Sequence, residues 1–231
     1  LRQEKYDLNE DAIKPYFSQE DVHNGLGTVV NKLYGITLTP CDSISVYNKD
    51  VKTYIVKDAD GSLLGVFYSD YMPRASKRSG AWMSNFREQQ EGVRPLIYNV
   101  ASFTKPAGDL PSLLTIDEAR TMYHEFGHAL HGLLTQCKYK GVSGTSVAQD
   151  FVELPSQIME HWAVEPEVLK MYAKHYQTRE AIPDSLIAKI ENQALFNQGF
   201  MTTELLAAAI LDMEMHCLTT MEGFDVLQFE K

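Results

Sequence analysis

With 231 residues, 44% of them hydrophobic and 23% charged, the chain has the composition of a globular protein long enough to bury one large core or two small ones. Its formal net charge of −10, from 21 Lys+Arg against 31 Asp+Glu, comes without a long basic run, which argues against nucleic acid as a partner. No window reaches about 18 uncharged apolar residues and the first residues lack the apolar core of a signal peptide, so no membrane partner is expected. Three cysteines, Cys41, Cys137 and Cys217, have no C-x-x-C spacing and fit reduced thiols in a cytoplasmic setting.

Residues 1–35 are predicted to be helical. Tyr6, Leu8, Ile13, Tyr16 and Phe17 form a loose apolar series. Ser18-Gln19-Glu20-Asp21 then opens a second helix through Val22, Leu26, Val29, Val30 and Leu33, which Gly35 ends. Over 36–103 the texture changes to short β-like runs, at 36–38, 44–47, 54–57 and 63–68. The last two are joined across Asp58-Ala59-Asp60-Gly61, whose Asp-Gly pair is a hairpin signal. Residues 70–92, with the short basic cluster Arg74, Lys77 and Arg78, read as a polar connection. Residues 95–101 are predicted to be a further strand. It is either a sheet edge able to take a peptide as an added strand or an interior strand with no ligand.

A longer helix follows. Thr115-Ile116-Asp117-Glu118 has the spacing of a capping box and starts it near residue 116. Ala119, Met122, Tyr123, Phe126, Leu130, Leu133 and Leu134 are distributed around several sides, so the helix should be largely buried. It nevertheless carries His124, Glu125 and His128. Unpaired buried charge is expensive, and a bound divalent cation is the most economical reason for this set. The two histidines, four residues apart, share a helical face and can meet one ion. Glu125 is placed to take a proton from a metal-bound water. Cys137 beyond the helix reads as an inert thiol.

Two histidines do not complete a catalytic zinc site, which typically takes three protein ligands. The metzincin pattern fails, because His131 and Leu134 occupy the positions where it needs glycine and histidine. The candidates are His131, Glu153, Glu160 and His161. His131 lies a further turn along from His128 and does not easily join the same tetrahedron. Past a flexible loop at 141–146, Asp150-Phe151-Val152-Glu153 is a second capping signal, with Pro155 making the following helix irregular. Glu153 and Glu160 would share one face of that helix, so one can bind metal while the other orients a ligand histidine. Further helices are expected over 166–177, 184–198 and 201–220.

The stretch His124 to Gly132, followed by Asp150-Phe151-Val152-Glu153-Leu154-Pro155-Ser156-Gln157, resembles the catalytic core of the thimet oligopeptidase and neurolysin family of zinc peptidases. The segments Lys77 to Met83 and Phe196 to Phe200 are most similar to its bacterial peptidyl-dipeptidase (Dcp) branch. The resemblance implies that Glu153 is the third zinc ligand beside His124 and His128, that Glu125 is the general base, and that one Zn2+ is held per chain. Glu160 is then the candidate for orienting a ligand from behind. It also implies a zincin-like hydrolase acting on short peptides, releasing C-terminal dipeptides; of the family's further parts, the Gly/Tyr-rich substrate loop is not expected in this sequence and little of the long N-terminal helical region is. The expectation is therefore a mainly α protein with a small β-sheet (α+β), a single catalytic-domain fragment over 1–231, with helical 1–35, β-rich 36–103 and a helical zinc-site region at 115–231. Its expected partners are short peptide substrates and the remaining segments of a longer enzyme. The alternative is a zinc- or peptide-binding fragment that is catalytically incomplete.

Overall fold

The structure is a computed structural model and describes residues 9–230. The expected helical residues Tyr6 and Leu8 lie outside this range. Residues 9–187 form one compact unit and residues 188–230 belong to another.

In the first unit a short helix α1, Glu10–Ile13, is capped by Asn9. Helix α2, Gln19–Tyr34, starts where the Ser18 hydroxyl accepts the Asp21 N–H and ends at Gly35 in the left-handed conformation (φ 74°). Five strands follow: β1 Thr37–Pro40, β2 Lys52–Lys57, β3 Leu63–Asp70, β4 Trp82–Arg87 and β5 Leu96–Val100. They form one sheet in the order β1-β2-β3-β5-β4. β3 and β5 run parallel and the other neighbouring pairs are antiparallel.

Two expectations are corrected here and one left open is decided. The run Ile44–Tyr47 is not a strand; Asn48 Oδ1 accepts the Asp50 N–H (3.0 Å), and such local side-chain bonding favours a turn over a ladder. The polar connection at 70–92 contains β4, whose residues are all half-buried or exposed, as an edge strand allows. The strand at 96–100 is interior, flanked by β3 and β4, so the sheet edge belongs to β4 instead.

Helix α3, Ile116–Leu134, has both halves of the predicted capping box, with Thr115 and Glu118 exchanging bonds. It packs across one face of the sheet, where Phe67 and Phe126 meet edge to face at 5.0 Å. Gly132 permits this contact, since a Cβ there would lie 2.4 Å from Ile97 Cδ1. At the far end Arg94 donates to Leu64 O (2.7 Å), to Leu133 O and to Thr135 O (3.4 Å), joining β3 to the last carbonyls of α3. Gln89 then clasps the backbone of Cys137 from both sides, at 2.9 and 3.0 Å.

Helix α4, Leu154–Val164, lies against α3, and α5, Pro166–Tyr172, packs on α2 where Gly25 leaves room for the Tyr172 ring. The expected cap at Asp150 is not made. The helix starts at Leu154, with Pro155 in its first turn and Glu153 at the N-cap position. Helix α5 also stops short of the expected residue 177, because residues 173–182 turn back through a Lys174–Ala181 bridge. Helix α6 covers Asp184–Gln193.

In the second unit α7, Gln198–His216, has no buried residue, and a short α8 spans Val226–Phe229. The helical stretch Asp184–His216 holds an 18-residue window of mean hydropathy 1.2, none of it buried. By length and composition it is enough to cross a membrane, which narrows the expectation that no stretch comes near that length. Glu204 and Asp212 on α7 would be costly in a bilayer.

Candidate metal centre

The site is built where α3 and the start of α4 touch. Gly127, one residue before the second histidine, has no side chain, so Ser156 and the Pro155 carbonyl come within 2.5 and 2.6 Å of where a Cβ would sit. That close approach carries Glu153, at the N-cap of α4, to the histidine face of α3. Glu153 Oε2 lies 3.3 Å from His124 Nε2 and 3.2 Å from His128 Nε2. Among the described residues, His124, His128 and Glu153 form a cluster able to hold a metal ion, with ligand atoms within 4.8 Å of one another.

These separations fit a tetrahedral ion. Ligands at about 2.0–2.1 Å from zinc stand about 3.3 Å apart, longer than a strong ionic hydrogen bond. Burial, the largest influence, holds His128 below the usual histidine range, and a neutral imidazole is the form that binds metal.

The other ring nitrogen of His124 is held from behind. Its Nδ1 lies 2.7 Å from Glu160 Oε1, which leaves Nε2 facing Glu153. His128 Nδ1 is buried with no hydrogen-bond partner. Glu153 is fixed by Ser156, whose hydroxyl donates to Glu153 Oε2 at 2.7 Å, and this bond leads the influences that lower its pKa. The sequence reading did not assign Ser156. A hydroxyl three residues past a helix-start carboxylate was the available signal.

Glu125 lies at the cluster, 8% exposed. Burial and the nearby Glu153 charge push its carboxyl above the ordinary range, while His124 and the Met83 backbone N–H oppose the shift. Met83 belongs to β4, so the carboxylate stands beside the sheet's edge strand. The remaining candidates are not brought in. His131 packs against the Phe151 ring at 6.1 Å, and both His131 and His161 lie outside the metal-competent cluster.

Two imidazoles from one helix turn and a carboxylate from the start of a second helix thus form a His/His/Glu cluster able to hold a metal ion, with the buried Glu125 carboxylate beside it. The model of peptidase family M3 matches residues 1–229, and the chain belongs to that family. It is 47% identical to the dipeptidyl carboxypeptidase of Escherichia coli over 234 residues, covering 100% of this chain and 34% of the relative. It is 40% identical to the organellar oligopeptidase A of Arabidopsis thaliana, covering 94% of this chain and 29% of the relative. Against the oligopeptidase A of Escherichia coli the identity is 36%, with 93% and 32% covered. The chain therefore spans about a third of the length of the curated relatives it matches.

Proposed function

We propose that this chain carries the zincin-like metal centre of a zinc peptidase that hydrolyses short peptides, with His124, His128 and Glu153 holding one Zn2+. The observation that carries this reading is the convergence of Glu153 Oε2 on both imidazole Nε2 atoms at 3.2 and 3.3 Å. When bound, zinc polarises a carbonyl and lowers the pKa of a coordinated water towards neutrality. Glu125 would act as the base, accepting a proton from the attacking water and passing it to the departing amine, and its burial, which raises its pKa, suits a group that must both take and give a proton. Glu160 holds the His124 ring in the orientation that leaves Nε2 for the metal.

The free edge of β4 supplies a place for substrate. A peptide laid along it bonds through its main chain, whatever its side chains, and Met83 brings that edge next to Glu125. Release of C-terminal dipeptides is the preferred outcome, in keeping with the similarity to the Escherichia coli dipeptidyl carboxypeptidase. The whole forms a catalytic-domain fragment acting in the cytoplasm with the rest of a longer enzyme, and the free state of Cys41, Cys137 and Cys217 supports a reducing setting.

The test is zinc per chain by elemental analysis, with cleavage of an internally quenched short peptide measured on the same samples. Parent protein should hold about one zinc. Glu153→Ala should lose it, and Glu125→Gln should keep zinc while cleavage falls by orders of magnitude. A Glu125→Gln variant of undiminished activity refutes the base assignment. A second reading, zinc and peptide binding without turnover, is favoured by the coverage of about a third of each relative. It predicts stoichiometric zinc and no cleavage.

A further inference from the structure

The face of the sheet opposite α3 carries a pocket that the hydrolytic reading leaves unused. On β4, Met83 points towards α3, its Cε lying 3.1 Å from a Cβ position on Gly132. Alternation along a strand therefore turns Trp82 and Ser84 to the opposite face. The ladder between β4 and β5 slips between Asn85 and Arg87, making Phe86 a bulge residue, and its ring also lies on that face. There Phe86 meets Tyr98 at 4.5 Å, Tyr68 at 5.3 Å and Tyr47 at 5.9 Å. Phe86, Tyr98 and Tyr47 border a cavity of about 500 Å³, which Trp82, Arg74 and Arg78 also line. The volume is within the usual range for a small-ligand site.

The floor is rigid and its charge is unbalanced. Asp70, 1% exposed, accepts both Arg74 guanidinium nitrogens (2.8 and 2.9 Å), Lys77 Nζ (2.9 Å) and the Tyr47 hydroxyl (2.8 Å). Asp70 thus faces two cations, and Arg78, whose guanidinium lies 5.1 Å from the Trp82 ring centroid, adds a third positive charge to the lining. Phe86 and Tyr47 remain 53% and 51% exposed, so the aromatic wall presents about half its surface to whatever enters.

We propose that this pocket receives an aromatic side chain of a peptide that adds to β4 as a sixth strand. The proposal rests on the zinc-peptidase reading for its peptide and on the strand geometry for its site. Side chains of an added strand alternate between the two faces. Those pointing towards α3 run past the metal centre, and their neighbours fall beside Trp82, Ser84 and Phe86. An aromatic ring there gains edge or offset contacts with Phe86 and Tyr98, and its electron-rich face suits Arg78. A lysine side chain would meet the excess positive charge and is excluded.

Trp82 itself reports the outcome. The chain has two tryptophans, so Trp162→Phe leaves Trp82 as the single emitter. Hydrolysis-resistant pentapeptides of alanine carrying Phe, Leu, Asp or Lys at one central position are titrated against this variant, with 5-fluorotryptophan NMR of the parent chain as a second readout should the variant fold poorly. The Phe peptide should bind about tenfold tighter than all-alanine and shift the Trp82 signal. Phe86→Ala should erase that preference while leaving alanine-peptide affinity unchanged. N-methylating the peptide amides should abolish binding of both. Equal binding of the Phe and alanine peptides, tighter binding of the Asp, Leu or Lys peptide, or an unmoved Trp82 signal overturns the proposal. Zinc and cleavage are scored on the same protein. Their loss with the Phe preference intact refutes the hydrolytic reading alone, and the reverse refutes the pocket alone.

Discussion

Replacing Gly127 with alanine should separate the two helices that make the metal centre. The new Cβ would lie 2.5 Å from Ser156 Cα and 2.6 Å from the Pro155 carbonyl oxygen, where ordinary contacts begin at 3.4 Å. Both opposing atoms are backbone, so no side chain can rotate away, and the start of α4 must withdraw by about 0.9 Å. Overpacking of this kind costs about 1–3 kcal/mol. The larger effect falls on Glu153, which precedes that backbone and meets the histidines at 3.2 and 3.3 Å. Metal-ligand distances tolerate only about 0.2 Å, so zinc affinity should drop by at least about tenfold. Chelator competition measures the affinity and thermal unfolding the stability. Gly132→Ala is the control: its Cβ would strike Ile97 Cδ1 and Met83 Cε, both side-chain ends away from α4, so it should cost stability and spare zinc. A folded Gly127→Ala protein with parental zinc affinity would refute the reasoning.

Other perturbations test separate parts of the structure. Glu160→Gln should weaken zinc by about 10–100-fold in the same competition assay, because His124 loses the carboxylate that orients it. Asp70→Asn should destabilise the chain by about 3–5 kcal/mol in urea titrations, since Lys77, its side chain 2% exposed, would keep a buried charge without its counter-ion. His23 is held down to about 4, first by burial and then by the Lys52 charge. Between pH 4 and the ordinary value of 6.5 the unfolded chain binds a proton there that the folded chain refuses, so stability should rise with pH across that window. The gain is at most about 3 kcal/mol, less because part of the ring meets solvent, and it should vanish in a folded His23→Phe variant compared by pH-dependent denaturation.

Local signals in the sequence located α3 well. Thr115 and Glu118 bond only within the helix they cap, and His124 and His128 are placed by helical period alone, so neither depends on distant chain. Gly35 likewise marks its own turn through its positive φ. The spacing of Glu153 and Glu160 suggested one shared helix face; both do lie against His124, but Glu153 reaches it from the N-cap rather than from the helix body. What escaped was set by tertiary partners. β4 mixes Ser84 and Asn85 into its middle because one side of it is a free edge, so it lacks the apolar alternation of an inner strand. Tyr47 looked like part of a strand because its apolar surface serves a cluster with Tyr68, Phe86 and Tyr98, residues that only the completed sheet assembles.

Arg94 gives helix α3 a second fixed end. With the Leu114 N–H just before the helix donating to Phe17 O (2.8 Å) and the guanidinium gripping the carbonyls of Leu133 and Thr135, α3 resembles a beam tied to its surroundings at both ends, and sliding it along the sheet would break one of those ties. The two imidazoles are therefore stationary reference points, and adjustment of the site has to come from the α4 side. Retuning this centre for a larger or smaller cation should accordingly proceed through residues 150–156, leaving the histidine helix as the unvarying half.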